Sequence, residues 1–194
     1  EMSYTNILNM LDMSGITIRA SERGEDEPII MAGGPCAYNP EPLYDIVDFF
    51  EIGEGEEMMD DVLEVYAKHK ANGKVNKKEF LREISHIGGI YVPSLYDVSY
   101  NEDGTIREFT PKYEDVPAKV KKRIVNNFDK VSFPDEMIVP YTDIVHDRVV
   151  LETARGCTNG CRFCQAGMIY RPVREKTTNT LIEQARRALK ATGY

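Results

Sequence analysis

Long apolar runs are missing from this 194-residue chain: no uncharged stretch exceeds 13 residues, residues 28–40 being one of them. A membrane-spanning helix takes about 18 or more apolar residues, so that class is excluded. The chain opens Glu-Met-Ser-Tyr, with neither an initiator methionine nor a signal-peptide pattern. It reads as a soluble, cytoplasmic polypeptide and as a piece of something longer. There are four cysteines and three histidines, and in an apparently intracellular chain a disulfide is disfavoured. Lysine and arginine are absent from residues 24–67, which hold 13 Asp and Glu. The net charge is −8, which argues against a non-specific nucleic-acid binder, because affinity for phosphates rests on clustered cations. Repeats and low-complexity tracts are absent as well. The length allows one or two domains and a core that needs no staples.

The charge is unevenly distributed. The acidic block 24–67 reads as a solvated surface. Residues 153–194 reverse the sign: eight Lys and Arg (Arg155, Arg162, Arg171, Arg174, Lys176, Arg186, Arg187 and Lys190) face only Glu175 and Glu183. That basic end coincides with three of the cysteines.

Apolar spacing places a helix over residues 3–13, with Tyr4, Ile7, Leu8 and Leu11 on one face and Gly15 as its stop. Residues 28–36 read as a short strand running into the Gly33-Gly34-Pro35 turn. Residues 48–57 read as a second strand ending in Gly53-Glu54-Gly55. A helix follows with Met58, Met59, Val62, Leu63 and Tyr66 on one face, ended by Asn72-Gly73. This alternation is that of an open α/β sheet, with two glycine turns at its carboxyl edge. Residues 77–87 are expected to be helical, 90–110 a hairpin around Asn101–Gly104, and 115–128 a helix with Pro117 in its first turn. Arg148–Thr153 reads as a strand by its β-branched content. A glycine-rich loop then carries Cys157, Cys161 and Cys164. The last helix starts near Thr180, spaced from Glu183 as in a capping box, and stops at Gly193.

The pattern Cys157-x3-Cys161-x2-Cys164 is the strongest chemical signal. The fourth cysteine, Cys36, lies 121 residues before Cys157 and reads as a buried or partly buried thiol. A disulfide would leave one thiol of the cluster over. Structural zinc closes with four ligands, and no His or further Cys follows the cluster. An iron–sulfur cluster on three thiolates keeps one iron open for a ligand other than protein. His69 and His86 read as surface or packing residues, and His146-Asp147 as a turn before the strand.

Arg155-Gly156-Cys157-x3-Cys161-x-Phe163-Cys164, in a loop between a strand and a helix, resembles the signature of the radical S-adenosylmethionine (SAM) superfamily. The resemblance implies that the three thiolates hold a [4Fe–4S] cluster and that the amino and carboxylate groups of SAM bind its fourth iron. Reductive cleavage of SAM then gives methionine and a 5′-deoxyadenosyl radical that abstracts hydrogen from an unknown substrate. Phe163 would lie near the adenine, and an electron donor such as a reduced flavodoxin or ferredoxin would be the partner. Arg155, Arg162, Arg171 and Arg174 are expected first as counter-charges for an anionic cluster. An anionic substrate, RNA included, is the alternative, although nothing in the sequence supports nucleic acid.

Residues 28–57 resemble the C-terminal half of the cobalamin-binding domain found upstream of many radical SAM domains, which implies cobalamin contact at Gly33, Gly34, Gly53 and Gly55. The order of parts resembles uncharacterised Fe–S oxidoreductases of that architecture. The expected organisation is therefore a partial Rossmann-like, cobalamin-binding-like sheet (1–75), an irregular α+β connector (76–145) and the first strand–loop–helix unit of a radical SAM β/α barrel (146–194). A barrel takes about 200 residues and only 30 follow Cys164. The chain is thus expected to be truncated at both ends, and by itself to be inactive and to hold no stable cluster. A corrinoid- or nucleotide-binding module and a zinc-stapled interaction protein are the alternative functions.

Overall fold

The computed structural model describes residues 2–71 and 73–194. Helix α1 (Tyr4–Met13) buries Leu11 and half-buries Tyr4, Ile7 and Leu8. It ends in a Schellman motif: the Gly15 N–H donates to Asp12 O (3.0 Å) and the Ile16 N–H to Leu11 O (3.0 Å). Strand β1 (Met31–Ala32) pairs in parallel with β2 (Phe49–Glu51), Met31 opposite Phe49. Helices α2 (Gly55–Ala71) and α3 (Lys77–Ile84) follow, then β3 (Ile90–Tyr91), antiparallel to β2. The hairpin β4 (Tyr96–Tyr100) and β5 (Ile106–Pro111) has an irregularity at Ser99/Tyr100. Beyond it come β6 (Ala154–Arg155), α4 (Ala166–Ile169), β7 (Arg174–Glu175) and α5 (Thr178–Thr192).

The architecture is mixed α/β with small sheets, and it departs from the expected Rossmann-like layout in two ways. The β1–β2 connection consists of two 3-10 turns, Pro35–Tyr38 and Glu41–Leu43, where a doubly wound fold has an α-helix. Its third strand, β3, runs antiparallel. Prolines 35 and 40, within six residues of each other, leave too few consecutive backbone donors for a helix there.

Contacts divide the chain into two units, Glu1–Ile124 and Val125–Tyr194. The core of the first is aromatic. Phe80 of α3 meets Phe49 of β2 at 6.4 Å and Tyr66 of α2 at 5.7 Å, both edge to face. Phe50, Met58, Ile84, Ile90 and Val92 are buried around them. This core runs through position 75–76, where the sequence suggests a boundary. On α2 the buried face is Met58, Val62 and the half-buried Val65 and Tyr66, while Leu63 is exposed. Of its expected Asn72-Gly73 stop, Asn72 lies outside the described residues. Helix α3 is capped by Asn76, whose side chain accepts from the Lys78 and Glu79 N–H groups.

Residues 115–128 are not the expected helix. Instead, Arg123 lies alongside Gly53 in a parallel bridge: its N–H donates to Ile52 O (2.9 Å) and its carbonyl accepts from the Glu54 N–H (3.1 Å). Val116, Val125 and Phe128 are buried all the same, so the apolar spacing reports burial without helix. The bridge depends on Gly53, whose φ is +123° and whose added Cβ would overlap the Arg123 carbonyl. Gly53→Ala is expected to cost about 2 kcal/mol or more, from backbone strain plus overlap, read as a lower urea midpoint.

The second unit is thinly packed, with Val125, Phe128 and Ala188 as its buried apolar residues among those described. The expected strand 148–153 is absent; residues 131–153 form no helix or strand, and Ile138, Tyr141 and Val145 stand in solvent. β-branched content favours a strand only where a partner exists, and here the pairing falls to β6 and β7. The cap of helix α5 is Thr177, three residues before the expected one: its hydroxyl accepts from the Thr180 N–H. Gly193, left-handed at φ +78°, ends it.

Candidate three-thiol loop

Strand β6 leads directly into Gly156 and Cys157, and β7 returns antiparallel beside it, with Ala154 opposite Glu175 and Arg155 opposite Arg174. The loop between them carries all three cysteines. Gly156 has φ +102°, and a Cβ there would lie 2.7 Å from both the Tyr170 and Pro172 carbonyls. Only glycine lets the loop's two ends approach this closely, which explains the residue before the first cysteine. Within the loop the Cys164 N–H donates to Cys161 O (3.1 Å), so the x2 interval is a turn.

Cys157 and Cys164 are half-buried and Cys161 is exposed. Among the described residues, no three His, Cys, Asp or Glu side chains are gathered as a metal site. Phe163 is 94% exposed. Cys36, expected to be at least partly buried, is exposed in the 3-10 turn after Gly34, because that turn packs Ala37 inward instead.

The cations here are not equivalent. Arg155 forms a two-pronged pair with Glu152 (2.8 and 2.9 Å), so its charge is matched. Arg162 and Arg171 are exposed. The Arg155, Arg174 and Lys176 cations lie 5.0, 5.5 and 5.2 Å from the centre of the Phe128 ring. Lys176 also lies 4.7 Å from the Phe133 ring. It is buried, and among the described residues its Nζ has no hydrogen-bond acceptor. Sequence reasoning counted Lys176 among the basic residues and did not single it out; its burial between two phenylalanines has no sequence signal.

The start of α5 is tied to this region through Asp129. Its carboxylate accepts from the Thr177 N–H (2.7 Å) and hydroxyl (2.8 Å). Those bonds, the backbone N–H first, hold the Asp129 carboxyl below its usual range. A depressed native value means that the contribution to stability is full above the unfolded value of about 3.9 and is lost as pH falls through the native one. The Thr177 amide is therefore expected to lose hydrogen-exchange protection on acidification below about pH 4, and Asp129→Asn to blunt that dependence.

The four glycines expected at a corrinoid are placed differently from one another. The close approach at Gly53 is to Arg123 of the chain itself. Gly33 and Gly55 flank the side chain of Glu51, at 3.7 and 3.5 Å from their Cβ positions, and Gly34 (φ +84°) opens onto space. Glu51 is buried, its Oε1 has no hydrogen-bond partner among the described residues, and burial raises its pKa. A carboxylate thus stands between Gly33 and Gly55, and the Gly53 turn is accounted for by the chain's own packing.

The architecture thus defines a mixed α/β protein carrying three thiols on one strand-anchored loop. Residues 1–93 match the family model described as radical SAM proteins, N-terminal. It covers α1 to β3 and ends before the cysteine loop. No curated protein and no solved structure matches the chain. No described helix is long and apolar enough to cross a membrane.

Proposed function

We propose that the protein is a radical SAM enzyme in which Cys157, Cys161 and Cys164 hold a [4Fe–4S] cluster. The observation that carries this reading is the placement of all three thiols on one loop between paired strands, in a chain whose residues 1–93 match an N-terminal domain of radical SAM proteins. The donor set fits the group: three soft thiolates suit iron–sulfur and leave one iron without a protein ligand. Lys176 supports the fit: it directly follows β7, the strand paired to the one that leads into Cys157, and its buried cation, whose Nζ makes no hydrogen bond among the described residues, would offset part of a net-negative cluster.

When bound, the cluster would supply one electron for reductive cleavage of SAM. The chain's own contribution is positional. Gly156 lets the loop close on β6 and β7, the turn at Cys161–Cys164 sets the spacing of two thiols, and Arg155 with Glu152 braces the strand that leads in. Phe163, exposed beside Cys164, is available to the adenine of SAM. Metal analysis of the anaerobically purified full-length protein tests the assignment. About four irons with matching sulfide per chain and broad visible absorption that bleaches on reduction support it. One redox-silent zinc per chain would replace it with a structural metal site.

A further inference from the structure

We propose that a cavity in the first unit, walled by the stacked Tyr96 and Phe109 rings, binds a small uncharged planar ring whose N–H donates to Glu41. The inference does not depend on the cysteine loop. The cavity measures about 550 Å³, within the range of small-molecule sites of roughly 300–1,000 Å³. One wall is aromatic: Tyr96 and Phe109 stack at 5.0 Å between centroids, with 20° between their planes. Phe109 lies opposite Val98 in the hairpin and is 40% exposed, so part of its ring is open to a ligand. Val98 and Tyr100 continue the wall along β4. A flat ring laid there gains stacking beyond its buried area, which a saturated ligand of the same size does not.

The lining carries no net charge. Arg23, Lys77, Lys78 and Lys112 stand against Glu25, Glu41, Asp45 and Asp48. The innermost groups are matched directly, Asp48 taking Arg23 at 2.6 Å and Lys77 at 2.7 Å. Asp45 and Lys112 pair outward, with Arg19 at 3.0 Å and Asp97 at 3.5 Å. Those two outer partners cancel in turn. A charged ligand would give up hydration here without a lone counter-charge to meet it. The balance therefore selects a ligand without net charge.

One acceptor is left for such a ligand. Glu41 Oε1 accepts from the Tyr91 hydroxyl at 2.7 Å. The Tyr91 ring lies 5.3 Å from Tyr96 and 6.3 Å from Phe109, which sets the carboxylate at the edge of the aromatic wall. Glu41 Oε2 accepts no hydrogen bond among the described residues. An N–H on the rim of the ring satisfies that oxygen without bringing a charge, and a hydrogen bond to an ionised acceptor is the stronger kind.

The test is ligand-observed NMR titration of the full chain, with no iron needed, using indole, benzofuran, indole-3-acetate and tryptamine as probes. Indole is expected to bind about tenfold more tightly than benzofuran, which has its shape but no N–H. It should also bind at least as tightly as the acid or the amine. Phe109→Ala, at a partly exposed ring, should weaken indole by about fivefold or more. Glu41→Gln keeps an acceptor for Tyr91 but leaves the lining one net positive charge. It should shift the preference between acid and amine about fivefold toward the acid. If that variant does not fold, the probe series on the native chain and the Phe109 variant still decide. Tighter binding of the acid or amine than of indole, equal binding of indole and benzofuran, or no binding of any probe would overturn the proposal. So would indole affinity untouched by Phe109→Ala, or an acid–amine preference unchanged in Glu41→Gln.

Discussion

Asp48→Ala is expected to lower stability by about 3–5 kcal/mol, the loss typical of removing one partner from a buried ion pair. The carboxylate accepts from Arg23 Nη1 at 2.6 Å and from the Ile30 N–H at 2.7 Å, and Lys77 Nζ stands 2.7 Å away. The Arg23 and Asp48 side chains are 0% and 1% exposed. Alanine would leave two buried cations facing each other without an anion, and would orphan the N–H that precedes β1. Because a domain holds only about 5–15 kcal/mol in total, most of the first unit's margin would be lost. Asp48→Asn keeps an acceptor for Arg23 and Ile30 and should cost less. Urea unfolding followed by far-UV circular dichroism separates the two: a midpoint for Asp48→Ala within error of the native protein would show that the cluster does not hold β1 to β2.

The second large effect concerns the loop. Cys157→Ala, Cys161→Ala and Cys164→Ala, each in the full-length protein, are expected to lose nearly all bound iron. Cys36→Ala should retain it. The contrast follows from position, since Cys36 sits in the 3-10 turn between β1 and β2 while the three others share the segment from β6 to β7. Removing one of three thiolates leaves a second iron without protein ligation. The loss should therefore exceed the roughly 10–100-fold that follows from losing an outer partner of a metal ligand. Iron content that depends on Cys36, or that survives any single change in the loop, would point to a different ligand set.

These two sites show what was legible in the sequence. The cysteines declare themselves by spacing, because ligands on one short loop must be near in sequence. The Asp48 cluster gives no such signal. Asp48 lies inside a block of 13 acidic residues without a cation, which reads as solvated surface. Its two partners come from outside that block: Arg23 from just before it and Lys77 from the first turn of α3. Long-range pairing of this kind is decided by the fold and leaves no periodic trace.

The same distinction runs through the fold. Helices α1, α2, α3 and α5 follow from apolar spacing and capping residues, and the hairpin from Asn101–Gly104, all of them local interactions. Residues 115–128 have helical spacing, yet Arg123 pairs with the backbone around Gly53, 70 residues earlier. Residues 148–153 have strand composition and no strand beside them. In both cases a distant partner, present or absent, overrode the local preference. Around the cysteines the sequence exposed the three thiols but not their setting: the Arg155–Glu152 pair and the burial of Lys176 belong to the structure alone.

The central claim is that the three thiols hold a cluster that cleaves SAM. Its most direct test is the yield of 5′-deoxyadenosine from SAM by the full-length protein, under anaerobic reducing conditions and with iron loading measured in the same sample. The account predicts formation by the native protein and only background from Cys161→Ala. Failure of an iron-loaded native protein to form it, or equal formation by the Cys161→Ala variant, would contradict the claim.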